Sequence, residues 1–106
     1  MKKSIVYFLL LLMNTSVVLA DEVKTNITGL VIKELSCNNL NNYSGNIVNR
    51  SSQRINGIVT VYSYDSDGDP IGQCKSRVDL GPKSGNSFYA SVCNCYRSKS
   101  VKIEVE

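Results

Sequence analysis

The chain has 106 residues, with 12 Lys+Arg against 9 Asp+Glu, no Trp and no His. That length suits one domain. Without His, the Ser-His-Asp and Cys-His catalytic devices and every His-containing zinc site are excluded.

Residues 1–20 read as an export signal. Lys2 and Lys3 give a basic start, Ile5 to Met13 is apolar throughout, and Val18-Leu19-Ala20 offers the small or medium side chains a signal peptidase accepts. The apolar run is too short to span a bilayer, which takes about 20 residues. No Cys follows Ala20, so lipid attachment there is excluded. The lysine-led start has a bacterial look, and the product belongs in the periplasm or outside the cell. The expected mature domain runs from Asp21 to Glu106. Loss of Lys2 and Lys3 leaves it nearly neutral, with no basic cluster for nucleic acid. After cleavage no segment suits stable membrane insertion.

In the mature chain the dominant period is two, the period of strands. Ile27 to Leu35 is the first such run and Gly45 to Asn49 a shorter second. Ile55 to Tyr64 is rich in β-branched and aromatic residues, and Ile71 to Leu80 is weaker. Asn86 to Val92 sets Phe88, Ala90 and Val92 against Ser87, Tyr89 and Ser91. Ser100 to Glu106 sets Val101, Ile103 and Val105 against Lys102, Glu104 and Glu106. Turn chemistry separates the runs: Asn38 to Asn42, Asn49 to Ser52, Asp65 to Pro70 and Leu80 to Gly85. The pattern predicts an all-β fold, a small antiparallel β-sandwich stapled by two disulfides, which the family resemblance below makes immunoglobulin-like. Val59 and Val61 are expected to face inward with Phe88, Ala90, Val92, Val101, Ile103 and Val105. Tyr62 and Tyr89 are expected to face out.

Several of these segments resemble the FxLYD family of small immunoglobulin-like domains in exported bacterial proteins. Gly45-Asn46-Ile47-Val48-Asn49-Arg50-Ser51 is similar to its Gly-x-Val-x-Asn-x-Ser strand. Val61-Tyr62-Ser63-Tyr64-Asp65 stands where its Phe-x-Leu-Tyr-Asp signature falls, with Val61 and Ser63 replacing Phe and Leu. Asp67-Gly68, Ile71-Gly72, Leu80-Gly81-Pro82 and Phe88 follow in the family's order. The resemblance covers residues 45–106 and implies a non-catalytic module.

Four cysteines, Cys37, Cys74, Cys93 and Cys95, remain after cleavage, an even count that reads as two disulfides in an exported domain. A four-thiolate metal site usually needs paired Cys-x-x-Cys knuckles, and the one close pair here is Cys93-Asn94-Cys95. A bridge within that pair is the least favoured, because same-face strand neighbours sit at the limit of disulfide geometry. If Ile71–Val78 and Ser87–Cys93 form a hairpin about Gly81-Pro82, Cys74 lies opposite Cys93. Cys74–Cys93 with Cys37–Cys95 is therefore favoured over Cys74–Cys95 with Cys37–Cys93.

No catalytic residue, metal or cofactor is expected. Asp65, Asp67 and Asp69 alternate as calcium ligands do, but Pro70 and Ser76 fill the positions that need Gly and Glu. The three sequons at Asn26, Asn42 and Asn49 are what an Asn- and Ser-rich chain shows by chance. Tyr62, Tyr64 and Tyr89 form the candidate binding surface for a protein partner, although such tyrosines also serve ordinary cross-strand pairing. The expected role is a protein-binding or accessory module. The alternative is an enzyme inhibitor or effector presenting Cys37 to Tyr43 or Cys93 to Lys99 as an anchored loop.

Overall fold

The computed structural model describes residues 16–106. The export-signal reading lies outside the described residues as far as residue 15. Among the described residues seven strands are formed: β1 (Ser16–Lys24), β2 (Leu30–Asn38), β3 (Asn42–Asn49), β4 (Ile55–Tyr64), β5 (Pro70–Leu80), β6 (Ser84–Ala90) and β7 (Ser100–Val105). They lie in two antiparallel sheets, one ordered β1-β2-β3-β6 and the other β5-β4-β7. The all-β, disulfide-stapled sandwich is the fold the period-two pattern predicts.

Each sheet turns one face inward, and alternate residues fill the space between. Leu30, Ile32, Leu35, Tyr43, Ile47, Phe88 and Ala90 come from the four-stranded sheet. Ile55, Val59, Val61, Val78, Leu80, Ile103 and Val105 come from the other. Val59, Val61, Phe88 and Ile103 are buried and Tyr89 is exposed, as strand parity requires. Tyr62 is half-buried instead of exposed, because β4 is a central strand with Gln73 and Lys102 directly beside that ring position.

One element was not foreseen. Ser16–Ala20, the last part of the segment read as a signal, lies in β1 opposite Leu35–Asn38, and Glu22–Lys24 continues opposite Val31–Lys33. β2 carries a bulge between Lys33 and Ser36, with Glu34 at φ 55°. The bulge pushes the Lys33 carbonyl toward β3, where a Cβ on Gly45 would stand 2.8 Å from it. Gly45 is the residue that allows this approach.

Asn49 is fully buried at the end of β3 and ties two connections together. Its Nδ2 donates to the carbonyls of Gln53 (2.8 Å) and Gly81 (3.0 Å). Its Oδ1 accepts from the Ser51 N–H (3.0 Å) and Ser51 Oγ (2.7 Å). The Asn49-Arg50-Ser51 segment is thus a structural knot, and a buried Asn49 offers no acceptor for sugar.

The expected hairpin between Ile71–Val78 and Ser87–Cys93 is not formed. β5 pairs with β4, β6 pairs with β3, and the Gly81-Pro82-Lys83 turn carries the chain from one sheet to the other. The two strands face each other across the core, and that still places Cys74 against Cys93. The bridges are Cys74–Cys93 and Cys37–Cys95, with Cα separations of 4.8 and 5.9 Å.

Candidate functional site

Three connections gather at one end of the sandwich: the β2–β3 turn, the β4–β5 turn and the long β6–β7 segment from Ser91 to Lys99. The β2–β3 turn closes with the Asn41 N–H donating to the Asn38 carbonyl (3.2 Å), and both central residues are left-handed, Asn39 at φ 53° and Leu40 at φ 66°. That is the mirror-image turn matched to strand twist, and its usual residues are Asn and Gly. Leu40 is an unusual occupant, and it is 66% exposed.

The β6–β7 segment departs from its strand at Ala90. Val92 adopts φ 59°, a steric outlier for a β-branched residue, and is 75% exposed. This corrects the expectation that Val92 continues the inward face of β6. The left-handed residue reverses the parity, so Cys93 turns inward and is fully buried past the strand end. Asn94, at φ 53°, repeats the device and lets Cys95 turn inward too.

Cross-links then hold the segment to both sheets. The Cys93 N–H donates to the Asn41 carbonyl (2.7 Å), and the Asn94 N–H donates to Asn41 Oδ1 (3.0 Å). Asn94 Nδ2 donates to the Ile71 carbonyl on β5 (3.1 Å). The Cys93 carbonyl lies so near β5 that a Cβ on Gly72 would collide with it. The Lys99 N–H donates to the Tyr64 carbonyl (2.8 Å). Beneath the segment, the buried Tyr43 hydroxyl meets Ser63 Oγ of β4 at 2.5 Å and donates to Ser98 Oγ at 3.0 Å. One phenol therefore joins β3, β4 and the loop, satisfying a polar group that burial would otherwise penalise.

The result is a rigid platform with apolar tips. Leu40, Val92 and Tyr96 are exposed on it, and Tyr89, the penultimate residue of β6, is exposed beside it. Arg97 and Lys99 lie on the same loop, and Asp65, Asp67 and Asp69 on the neighbouring turn. The three aspartates approach to within 4.8 Å of one another, and their geometry is that of a cap. Asp65 Oδ1 accepts from the N–H groups of Asp67 (2.9 Å) and Asp69 (3.0 Å), closing the hairpin.

The tyrosines singled out from sequence are not brought together. Tyr62 and Tyr64 lie on the outer face of the three-stranded sheet, and Tyr89 on the outer face of the other. Sequence reasoning named both clamped loops but not their junction. The signal was the lone Leu40 among four asparagines and the Val92 that breaks the parity of two following cysteines. Comparison with known proteins finds no significant match to a protein family, a curated protein or a solved structure.

All four cysteines are in disulfides, so none is a thiolate. The two bridges suit an oxidising compartment. Among the described residues, no helix is long and apolar enough to cross a membrane.

Proposed function

We propose that the chain is an exported, non-catalytic protein-binding module whose contact surface is the disulfide-clamped end carrying Leu40, Val92 and Tyr96. One observation carries this reading: two large apolar residues occupy left-handed backbone at that end, and both are exposed. Left-handed backbone costs an L-residue roughly 1–2 kcal/mol. Glycine would relieve that cost, and exposure removes any packing reason for Leu or Val. Backbone strain of this kind collects at functional sites held by their surroundings. Rigid apolar and aromatic tips also lose little entropy on binding.

Export rests on residues 1–20, whose removal before Asp21 leaves Asp21–Lys24 as the β1 remnant. The non-catalytic reading rests on the oxidised cysteines, the lack of His and the resemblance of residues 45–106 to FxLYD domains.

The test is retention of extracytoplasmic proteins on the immobilised exported chain, compared with Val92→Asp, Tyr96→Ala and Tyr62→Ala. A partner held by the parent and by Tyr62→Ala, but lost with both tip variants, supports the surface. Loss with Tyr62→Ala alone would move the surface to the outer face of the other sheet. An inhibitor that inserts Leu40 into a partner's cleft is the second reading, favoured by the position of that side chain on a two-residue turn. It requires the retained partner to be an enzyme whose turnover falls on addition of the parent and not of Leu40→Asp.

A further inference from the structure

The two sheets end in four outer strands, β1, β6, β5 and β7. Exposed strand edges invite pairing with other chains, and stable monomers guard them with charge, proline, bulges or cover. β5 carries Pro70, Lys75, Arg77 and Asp79. β7 carries Lys102 and Glu104, and Asn26 covers part of its edge by bonding the Val105 N–H (2.7 Å) and carbonyl (3.2 Å). In the exported chain β1 keeps Asp21, Glu22 and Lys24, and the stretch of β2 that cleavage uncovers, Leu35–Asn38, is opened by the bulge between Lys33 and Ser36. β6, Ser-Gly-Asn-Ser-Phe-Tyr-Ala, has no charge and no proline, and its register with β3 runs unbroken from Ser84 to Ala90.

We propose that β6 is a self-association edge, pairing antiparallel with β6 of a second copy about a twofold axis at Ser87. The backbone sets this register. The Arg50 N–H donates to the Gly29 carbonyl (2.8 Å), so even-numbered β3 residues turn their backbone groups toward β2 and odd-numbered ones toward β6. Asn49 pairs with Ser84 and Ile47 with Asn86, so even-numbered β6 residues bond β3 and Gly85, Ser87 and Tyr89 turn theirs to the open side. The Ser87 N–H fits this, being taken up at 2.8 Å by the neighbouring Asn86 side chain.

A twofold at Ser87 places each outward-turned residue opposite another: Ser87 against Ser87 of the second copy, and Gly85 against its Tyr89. This register uses all three positions and forms about six backbone hydrogen bonds. Shifting the axis by one residue leaves an outward-turned position unpaired. The same register sets the exposed Tyr89 ring over the bare strand at Gly85, the cross-strand arrangement in which an aromatic compensates an edge glycine. The pairing meets no like charges, and it requires the Asn86 side chain to release the Ser87 N–H. One strand a side makes a small interface, and the dimer is reversible. Because the strands are antiparallel, the two clamped ends point in opposite directions.

Sedimentation velocity of the exported chain from micromolar to about millimolar concentration, a range set by the small interface, tests this. A reversible monomer–dimer equilibrium is expected. Ser87 is exposed, so Ser87→Lys and Ser87→Glu keep the fold, which circular dichroism checks. Each puts like charges face to face at the axis and is expected to weaken dimerisation about fivefold. Mixing the two variants is expected to restore a heterodimer, a rescue that damage to the fold cannot give. Ser52→Lys, on an exposed position at the other end, is expected to dimerise as the parent does. A chain monomeric throughout, a dimer indifferent to both Ser87 variants, or a mixture that stays monomeric overturns the proposal.

Discussion

At the scale of single residues, Val92 and Leu40 separate stability from function. Each holds an L-residue in left-handed backbone, and neither gains burial for it. Val92→Gly removes the steric cost and keeps φ 59° accessible, so the folded protein should gain about 1 kcal/mol. Urea unfolding at constant slope is the measurement. A loss of stability would mean the valine packs against something in solution that offsets its backbone. Partner retention should fall in the same variant, the trade expected where a strained residue serves binding. The ion pairs make a second residue-scale case. Arg50 meets Glu22 at 2.6 Å, and Arg54 grips Asp79 through two bonds of 2.8 Å. Hydrogen bonds from those guanidinium groups hold both carboxyls below their ordinary values. Groups depressed in the folded state stabilise it above their unfolded pKa and lose that contribution as pH falls through the folded one. The melting temperature should therefore be insensitive to pH near 7, where both pairs contribute in full, and decline below the ordinary carboxylate range. Arg54→Gln should make that acid decline shallower, and an unchanged acid profile would count against the Asp79 pair.

At the scale of strands, parity was legible and sheet membership was not. Phe88 and Tyr89 are adjacent and opposite in fate, so Phe88→Ala should cost about 3–5 kcal/mol and Tyr89→Ala less than about 1 kcal/mol. Equal losses would require a different register. The alternation of residues 86–90 shows which side chains go inward, but not whether β6 pairs with β5 or crosses to β3. Both arrangements use the same inward face and the same Gly81-Pro82 turn. The clamped end was legible only in its cysteines. Val92 fits the apolar period of β6, and what removes it from the core is a left-handed backbone that no hydrophobic pattern encodes. Gly72 was legible only as part of the Ile71-Gly72 step in the FxLYD resemblance, while its use is to admit the Cys93 carbonyl. Gly72→Ala must push that loop or β5 aside, because the obstructing atom is backbone. A loss of about 1–3 kcal/mol is expected, with amide shift changes concentrated at residues 91–99. Changes confined to the β4–β5 turn would show that the loop does not rest on β5.

For the whole molecule, the two bridges differ in what they hold. Cys74–Cys93 joins β5 of the three-stranded sheet to the chain leaving β6 of the other and spans 19 residues of sequence. Cys37–Cys95 spans 58 and pins the same loop to β2. By loop-closure entropy, losing the shorter bridge costs about 3 kcal/mol and losing the longer about 4 kcal/mol. A domain of this size has a net stability of about 5–15 kcal/mol, so either loss is survivable and both together approach the limit. Both bridges end in one loop, so their contributions should not add. With Cys93 released by Cys74→Ser/Cys93→Ser, the Cys95 bridge still holds one side of Val92, and the hydrogen bonds from Cys93 and Asn94 to Asn41 and Ile71 must locate the rest. The double variants Cys74→Ser/Cys93→Ser and Cys37→Ser/Cys95→Ser should each stay folded, with urea midpoints in that order of loss. Removing all four should cost less than the sum of the two, because the second removal frees a loop already partly released. A strictly additive loss would mean that each bridge acts on its own sheet and that the loop between them is held by its hydrogen bonds alone.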